Sequence, residues 1–237
     1  MRRRSWLWTS SLGYLALVFM LFAPYMALIY AGVEKEMGLA QKIFYFHVSS
    51  AFAMYTGFFL VFIFSILYLW RKEKHWDIWA SCSAEVGLLF CTLVLLSGPI
   101  WAKPIWGAWW VWDAQLTLTL ILWLIFIAYQ MLRNYSEDSI QSANFRAVLG
   151  IIGFLDTPLI HYSTQLWRTH HPQVIRTENS LPPDMYTAFL FCVTTFLILF
   201  GAILLKRVSL ELARNELEYL KAEVRERRVL LGQVRGE

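Results

Sequence analysis

The sequence carries little charge. Of its 237 residues, 16% are Asp, Glu, Lys or Arg, whereas ordinary soluble domains carry about 25%. Hydrophobic residues make up 58% of the chain and the mean hydropathy is +0.48. This deficit of charge, together with several long apolar runs, excludes an ordinary soluble domain and predicts an integral membrane protein. The net charge of +4 does not indicate nucleic-acid binding, because basic residues in a membrane protein mostly record its topology.

Cysteine and nucleotide-binding motifs are also scarce. The three cysteines, Cys82, Cys91 and Cys192, all lie within apolar runs, which favours small buried side chains. The sequence contains no CxxC, no CxxCH and no zinc-type Cys/His spacing. The chain is therefore not itself a c-type cytochrome. It also lacks a P-loop, so it does not hydrolyse ATP by a Walker mechanism.

Long apolar segments are abundant, and they predict an all-α polytopic membrane protein with six transmembrane helices. Each segment is long enough to cross a hydrocarbon core of roughly 30 Å at about 1.5 Å per residue. We interpret the first segment as an uncleaved span, because it is too long for a signal peptide and is followed by no small-residue cleavage site. The spans are predicted at about 11–32, 44–70, 78–98, 114–132, 146–163 and 185–205.

The distribution of basic residues predicts the orientation. Cytoplasmic loops are enriched in Lys and Arg, and here alternate loops are the richer ones. Both termini are therefore predicted to be cytoplasmic, and the loops at 101–113 and 164–184 to face outward. The basic residues that support this topology are Arg2, Arg3, Arg4, Arg71, Lys72, Lys74, Arg133, Arg146, Lys206 and Arg207.

The chain is predicted to divide into a membrane domain at 1–205 and a charged cytoplasmic tail at 206–237. The tail favours helix, and apolar residues recur in it every seven positions. Two interpretations stay open, a solvated or membrane-skirting helix and a docking helix for a cytoplasmic partner. The heptad positions are Leu210, Leu217, Val224 and Leu231.

The tryptophan segment (residues 101–113, WAKPIWGAWWVWD) holds five tryptophans in thirteen residues. Pro99 and Pro104 predict that no continuous helix runs through its start. After Gly107 a short interfacial helix is predicted. The segment suits either an aromatic belt at the membrane surface or a platform for a flat aromatic ligand. One face of the predicted helix would carry Trp106, Trp109, Trp110 and Asp113.

Four of the five histidines lie on the predicted outward side with the tryptophans. His47 and His161 stand at the ends of spans, and His170 and His171 in the outer loop, whereas His75 is in a cytoplasmic loop. Taken singly, such a histidine is more often an ordinary helix-end residue. A neutral imidazole is also a ligand of haem iron, so two of them over a tryptophan platform would suit a porphyrin.

Three motifs together carry a family resemblance. WGAWWVWD at 106–113 resembles the tryptophan-rich WWD signature of the haem-handling proteins of cytochrome c maturation. FHV at 46–48 resembles the first histidine motif of that family, and PLIHYS at 158–163 with WRTHH at 167–171 resembles the second. With six spans and this length, the chain resembles the haem exporter protein C (CcmC) branch over nearly all of its length up to about residue 205.

The resemblance implies the residues that hold haem b. His47 and His171 are the implied iron ligands, with His170 as the alternative to the second. We add three outward cations as candidate contacts of the haem propionates, although each is explained equally well by topology: Lys103, Arg168 and Arg176. The implied platform consists of Trp101, Trp106, Trp109, Trp110, Trp112 and Asp113, with Gly107 allowing close backbone approach.

The sequence departs from the family pattern in a few places. Gln115 stands where many members have arginine, which removes one candidate partner of Asp113 or of a propionate. Glu85 and Asp156 lie inside predicted spans. Either acid would line the interior of the bundle or be protonated.

The implied function is haem binding at the outer face of the bacterial cytoplasmic (inner) membrane and delivery to the periplasmic haem chaperone CcmE. The implied partners are the CcmA/CcmB ABC transporter, CcmD and the lipid bilayer, with no nucleic acid. Whether the chain has catalytic activity stays open, since the role is mainly binding and transfer. Two alternatives are a bis-histidine b-type electron carrier, with haem buried between helices, and a transporter of another amphipathic substrate, with polar residues along a path.

Overall fold

A computed structural model of the chain describes residues 2–135, 139–166 and 181–234. This part of the chain is almost entirely helical, and its only β-type pairing is an isolated bridge between Glu34 and Gly38. A π-helical turn (Met26–Tyr30) continues α1, and a short 3₁₀-helix (Leu39–Lys42) leads into α2. The six helices are α1 (Arg2–Tyr25), α2 (Ile43–Arg71), α3 (Lys74–Trp106), α4 (Ala114–Tyr135), α5 (Ile140–Leu166) and α6 (Pro183–Val234).

The prediction of six membrane-spanning helices is confirmed. Each helix contains a stretch that is long and apolar enough to cross a membrane. The orientation of the bundle in the membrane stays a prediction. We call the end of the bundle where α3 finishes and α4 begins the tryptophan end, and the opposite end the tail end.

Helix α3 runs further than the sequence suggested. Pro99 and Pro104 both lie inside it, so the prediction that they prevent a continuous helix was wrong. A proline removes one N–H donor, and near the ends of membrane helices the freed backbone groups can be satisfied by neighbouring groups. The helix stops instead at Gly107, whose φ of 72° is left-handed. Its N–H donates to the Lys103 carbonyl at 3.1 Å, as in a glycine C-cap.

The antiparallel pair α2 and α3 forms the centre of the bundle. The two helices approach closely at Gly57 and Gly87, where a Cβ added to Gly57 would lie 2.7 Å from the Gly87 Cα. Small residues allow such close helix approach in membranes. Beside this point Phe58 of α2 stacks on Phe126 of α4, with ring centroids 3.8 Å apart. The core therefore combines a tight backbone contact with stacked aromatic rings.

Buried ion pairs join four helices at the tail end. Asp77 of α3 accepts hydrogen bonds from Arg146 of α5 at 2.8 and 3.2 Å and from Arg133 of α4 at 3.0 Å. Arg133 also donates to Glu211 of α6 at 2.6 Å. The Arg146 side chain is only 1% exposed. Arg133 and Arg146, which the sequence analysis used as topology markers, thus also hold the helix ends together.

The two acids inside predicted spans differ in their surroundings. Glu85 lies on the surface of α3 and pairs with Arg207 of α6 at 2.7 Å, so it does not line the bundle interior as expected. Asp156 of α5 is buried, and its Oδ2 has no hydrogen-bond partner within the described residues. The continuous helix α6 crosses residue 205, and the domain division predicted there stays a prediction.

Candidate functional site

The tryptophan segment consists of the end of α3 and the connection to α4. Trp101 and Trp106 are on the last turns of α3. Beyond Gly107 the chain is non-helical up to Asp113, so the predicted short helix after Gly107 is not formed. The left-handed Gly107 ends one helix and Asp113 starts the next, and the connection between them is too short for a further helix, since the first helical turn is costly.

Asp113 is the N-cap of α4. Its Oδ1 accepts a hydrogen bond from the Leu116 N–H at 2.9 Å, and its carbonyl accepts one from the Thr117 N–H at 3.0 Å. Aspartate is among the most favourable residues at this position. The acid of the WWD motif thus has a structural role that the sequence analysis did not assign to it.

The tryptophans of the segment divide into exposed and buried ones. Trp109 and Trp112 are 58% and 76% exposed, and Trp106 and Trp110 are half-buried. The Trp110 and Trp112 rings meet edge to face, with centroids 5.7 Å apart. Trp101 is 4% exposed and lies in the core below them. The segment therefore combines two exposed indoles with a buried one.

Lys103 lies at the rim of this aromatic group. Its ammonium donates to the Gly107 carbonyl at 2.8 Å and stands 6.0 Å from the centre of the Trp109 ring, within cation–π range. Among the described residues, a Cβ built on Gly107 would meet no neighbouring atom within 4 Å. One positive charge thus stands next to the exposed indoles.

His47 is held against α3 beside Trp101, the first residue of the tryptophan segment. It lies on the first turns of α2 and is 8% exposed. Its Nδ1 is 2.9 Å from the Ser97 hydroxyl of α3, and its ring centroid is 5.5 Å from that of Trp101. A Cβ added to Gly98 would lie 3.4 Å from His47 Cε1. The imidazole is thus fixed between α2 and α3 on the same side as Trp101.

Sequence reasoning missed Ser97 altogether. Ser97 and Trp101 are four residues apart, so they share one face of α3, and this spacing was the available signal. The spacing alone does not point to Ser97, because the register in which α2 and α3 pair decides that Ser97 lies opposite His47.

Two further contacts fix the chain at the tryptophan end. The buried Lys42 ammonium donates to the Ala31 carbonyl, and the Asp184 carboxylate accepts from the Gly32 N–H at 2.7 Å. These contacts tie the connection before α2 to the start of α6. The start of α2, which carries His47, is therefore tied through Lys42 to the preceding connection, and that connection is tied through Gly32 to α6.

The remaining expected site residues are not brought together in the described structure. His161 is exposed on α5, with its ring 5.4 Å from that of Tyr162. The second implied iron ligand, its alternative and two of the candidate cations lie outside the described residues: His171, His170, Arg168 and Arg176. Within the described residues, no group of three or more His, Cys, Asp or Glu could hold a bare metal ion.

Together these features define a class of protein: a six-helix membrane protein with a buried histidine and a tryptophan-rich segment at the same end of the bundle. Comparison with known proteins narrows the class. The family model described as "Heme exporter protein C" matches residues 2–223, and the chain belongs to this family.

Named relatives agree with this assignment. The chain is 28% identical over 179 residues to "Heme exporter protein C" of Escherichia coli (strain K12), covering 76% of this chain and 73% of the relative. It is 32% identical over 195 residues to the Bradyrhizobium diazoefficiens protein of the same name, covering 81% and 72%. A Marchantia polymorpha relative, "Putative cytochrome c biosynthesis ccmC-like mitochondrial protein", is 29% identical over 181 residues, covering 76% and 77%.

Proposed function

We propose that the chain binds haem b at the tryptophan end and presents it to the haem chaperone CcmE during the biogenesis of c-type cytochromes. A role in haem handling for this process is what the names of its relatives support. The observation that carries the finer proposal is the position of His47, which is buried with its ring centroid 5.5 Å from that of Trp101, the first residue of the tryptophan segment.

In this proposal the residues bind and orient the ligand. His47, and His171 of the predicted outer loop, would hold the haem iron through their imidazoles. The exposed faces of Trp109 and Trp112 contact the macrocycle, and each aromatic contact adds about 0.5–1.5 kcal/mol beyond area burial. Lys103, at the rim of the same face, pairs with a propionate, because a charged amine and a carboxylate form a strong hydrogen bond. Two imidazoles occupy both axial positions of the iron, which suits a carrier.

The orientation belongs to the same proposal. The tryptophan end faces the periplasm of a bacterial inner membrane, and the tail (206–237) faces the cytoplasm, because the basic loops lie at the tail end. The ATPase must be a partner, since the chain has no nucleotide motif. We assign that part to CcmA and CcmB, with CcmD as a further subunit. A fluorescent protein fused after residue 237 should fluoresce if the tail is cytoplasmic, and should stay dark if the orientation is reversed.

Two rival functions fit the described residues less well. A b-type electron carrier would bury its haem between helices, whereas Trp109 and Trp112 are largely exposed. A transporter of another amphipathic substrate would need a polar path across the bilayer. The two membrane acids do not form one, because Asp156 is buried and Glu85 lies on the surface paired with Arg207.

The test is the absorption spectrum of protein purified from haem-sufficient cells, recorded oxidised and reduced. The wild type should show a low-spin bis-histidine spectrum. The spectrum should be lost in His47→Ala and His171→Ala and kept in the matched control His170→Ala. The haem-loaded wild type should then transfer haem to added CcmE. A haem-free wild type would contradict haem binding, and a loaded wild type that transfers nothing would contradict delivery.

A further inference from the structure

We infer that Ser97 positions the iron ligand: its hydroxyl accepts the Nδ1 proton of His47 and so leaves Nε2 as the nitrogen that binds iron. This inference rests on the proposed function, since it requires that His47 binds haem. It adds a residue of α3 to a site whose other members came from sequence motifs.

The Ser97 hydroxyl has a single proton, so it can donate only one hydrogen bond. Its oxygen lies 2.6 Å from the Leu93 carbonyl and 3.4 Å from the Val94 carbonyl. Carbonyl oxygens only accept hydrogen bonds, so the hydroxyl donates to Leu93. This bond to the residue four positions earlier is common for serine in membrane helices.

The direction of the Ser97 hydroxyl determines the tautomer of the His47 imidazole. Because the hydroxyl proton is committed to Leu93, the 2.9 Å contact between Ser97 Oγ and His47 Nδ1 requires the nitrogen to donate. A neutral imidazole has one N–H, and here it is on Nδ1. The lone pair that a metal requires is then on Nε2. The hydrogen bond made by one ring nitrogen commonly fixes which nitrogen binds the metal.

The contact also fixes the angle of the ring. Ser97 holds one edge of the imidazole, the Trp101 ring centroid lies 5.5 Å from that of His47, and a Cβ added to Gly98 would lie 3.4 Å from Cε1, at van der Waals contact. Trp101 follows Ser97 by four residues on the same face of α3. One helix face therefore sets both the tautomer and the orientation of His47.

The choice of a hydroxyl suits a protein that must release its ligand. A carboxylate at this place would attract the Nδ1 proton more strongly and make the imidazole a much stronger iron ligand. A hydroxyl is a weaker acceptor, so it orients the ring with a smaller gain in iron affinity. The expected consequence is haem that is bound in one geometry yet can be transferred.

The experiment compares Ser97→Ala, Ser97→Thr and Ser97→Cys in the full-length, haem-loaded protein. The matched control is Ser209→Ala, because the Ser209 hydroxyl makes the same type of bond, to the Leu205 carbonyl at 2.8 Å, far from His47. Two quantities are measured, the midpoint potential of the bound haem and the rate of haem loss to a scavenging protein.

Ser97→Ala should raise the midpoint potential, because an imidazole without an acceptor at Nδ1 donates less charge to ferric iron. It should also speed haem loss by about tenfold to a hundredfold, the usual effect of losing such a partner. Ser97→Thr keeps the hydroxyl and should behave like the wild type. Ser97→Cys, with a weaker acceptor of similar size, should be intermediate, which keeps the test decisive if the alanine variant is poorly folded.

The inference is overturned if Ser97→Ala keeps the wild-type potential and rate of haem loss while His47→Ala has lost its haem. In that case the proposed function stands. If the wild type holds no haem, or His47→Ala keeps it, both the proposed ligand and the role of Ser97 fall.

Discussion

The buried ion pairs at the tail end should make the stability of the protein depend strongly on Arg146. Arg146 is 1% exposed and Asp77 is 5% exposed. Arg146→Ala would leave the Asp77 carboxylate with Arg133 alone, and that guanidinium is already shared with Glu211. Arg207 also reaches Glu211 at 3.8 Å and Glu85 at 2.7 Å, so three cations and three anions balance in this cluster. The variant would therefore leave one negative charge uncompensated at the buried Asp77. Removing one partner of a buried ion pair costs about 3–5 kcal/mol.

The assay is thermal unfolding of the detergent-solubilised protein, followed by circular dichroism at 222 nm. For a chain of this size, each kcal/mol shifts the midpoint by about 2–4 °C. Arg146→Ala should therefore lower the midpoint by about 6 °C or more. The control is Arg227→Ala, which breaks the exposed pair with Glu223 at 2.7 Å. An exposed pair of this kind contributes about 0.5 kcal/mol or less.

A second variant separates the charge from the packing. Asp77→Leu combined with Arg146→Met removes both charges and keeps apolar volume, so it should recover most of the lost stability. The argument is refuted if Arg146→Ala shifts the midpoint no more than Arg227→Ala does. It is also refuted if the apolar double variant is less stable than Arg146→Ala alone.

Three further predictions use the same unfolding assay. Gly57→Ala should lower the midpoint because its methyl group would overlap the backbone of α3, whereas Gly201→Ala, with its nearest neighbour 3.8 Å away, should not lower it; equal effects would contradict the close approach. Asp113→Ala should lower the free energy of unfolding by about 1 kcal/mol, because the α4 cap is lost. Asp113→Asn should change that free energy little and should keep its haem; if the asparagine variant lost haem, the Asp113 carboxylate would be a haem contact. Asp156→Asn should raise the midpoint at pH 8, because it removes a buried carboxyl whose Oδ2 has no hydrogen-bond partner among the described residues; a lower midpoint would contradict this reasoning.

The sequence allowed the six spans to be predicted because apolar runs of about 20 residues carry both the length and the environment of a membrane helix. The motif around His47 predicted a residue that the structure sets beside Trp101. Both features are local in the sequence. The fold class and the placement of His47 at the same end as the tryptophans could therefore be predicted from the sequence, whereas the role of His47 stays a prediction.

The features that escaped prediction depend on contacts between distant parts of the chain. Proline preferences predicted that α3 ends too early, because they do not include the neighbouring groups that satisfy the freed backbone groups near the end of a membrane helix. Ser97 and His47 are 50 positions apart, and Asp77 meets Arg146 from 69 positions away. No periodicity in a single helix encodes which residue of the next helix lies opposite. The register between helices decides it.

The length of α6 has a mechanical consequence. The helix runs without a break from Pro183 to Val234, 52 residues, which corresponds to a rod of about 78 Å at 1.5 Å per residue. No proline follows Pro183 that would act as a joint. A force that tilts or rotates the tail is thus transmitted along the whole rod to Asp184, which is bonded to the backbone before α2. Stiffness alone couples the two ends of the molecule, with no change in secondary structure.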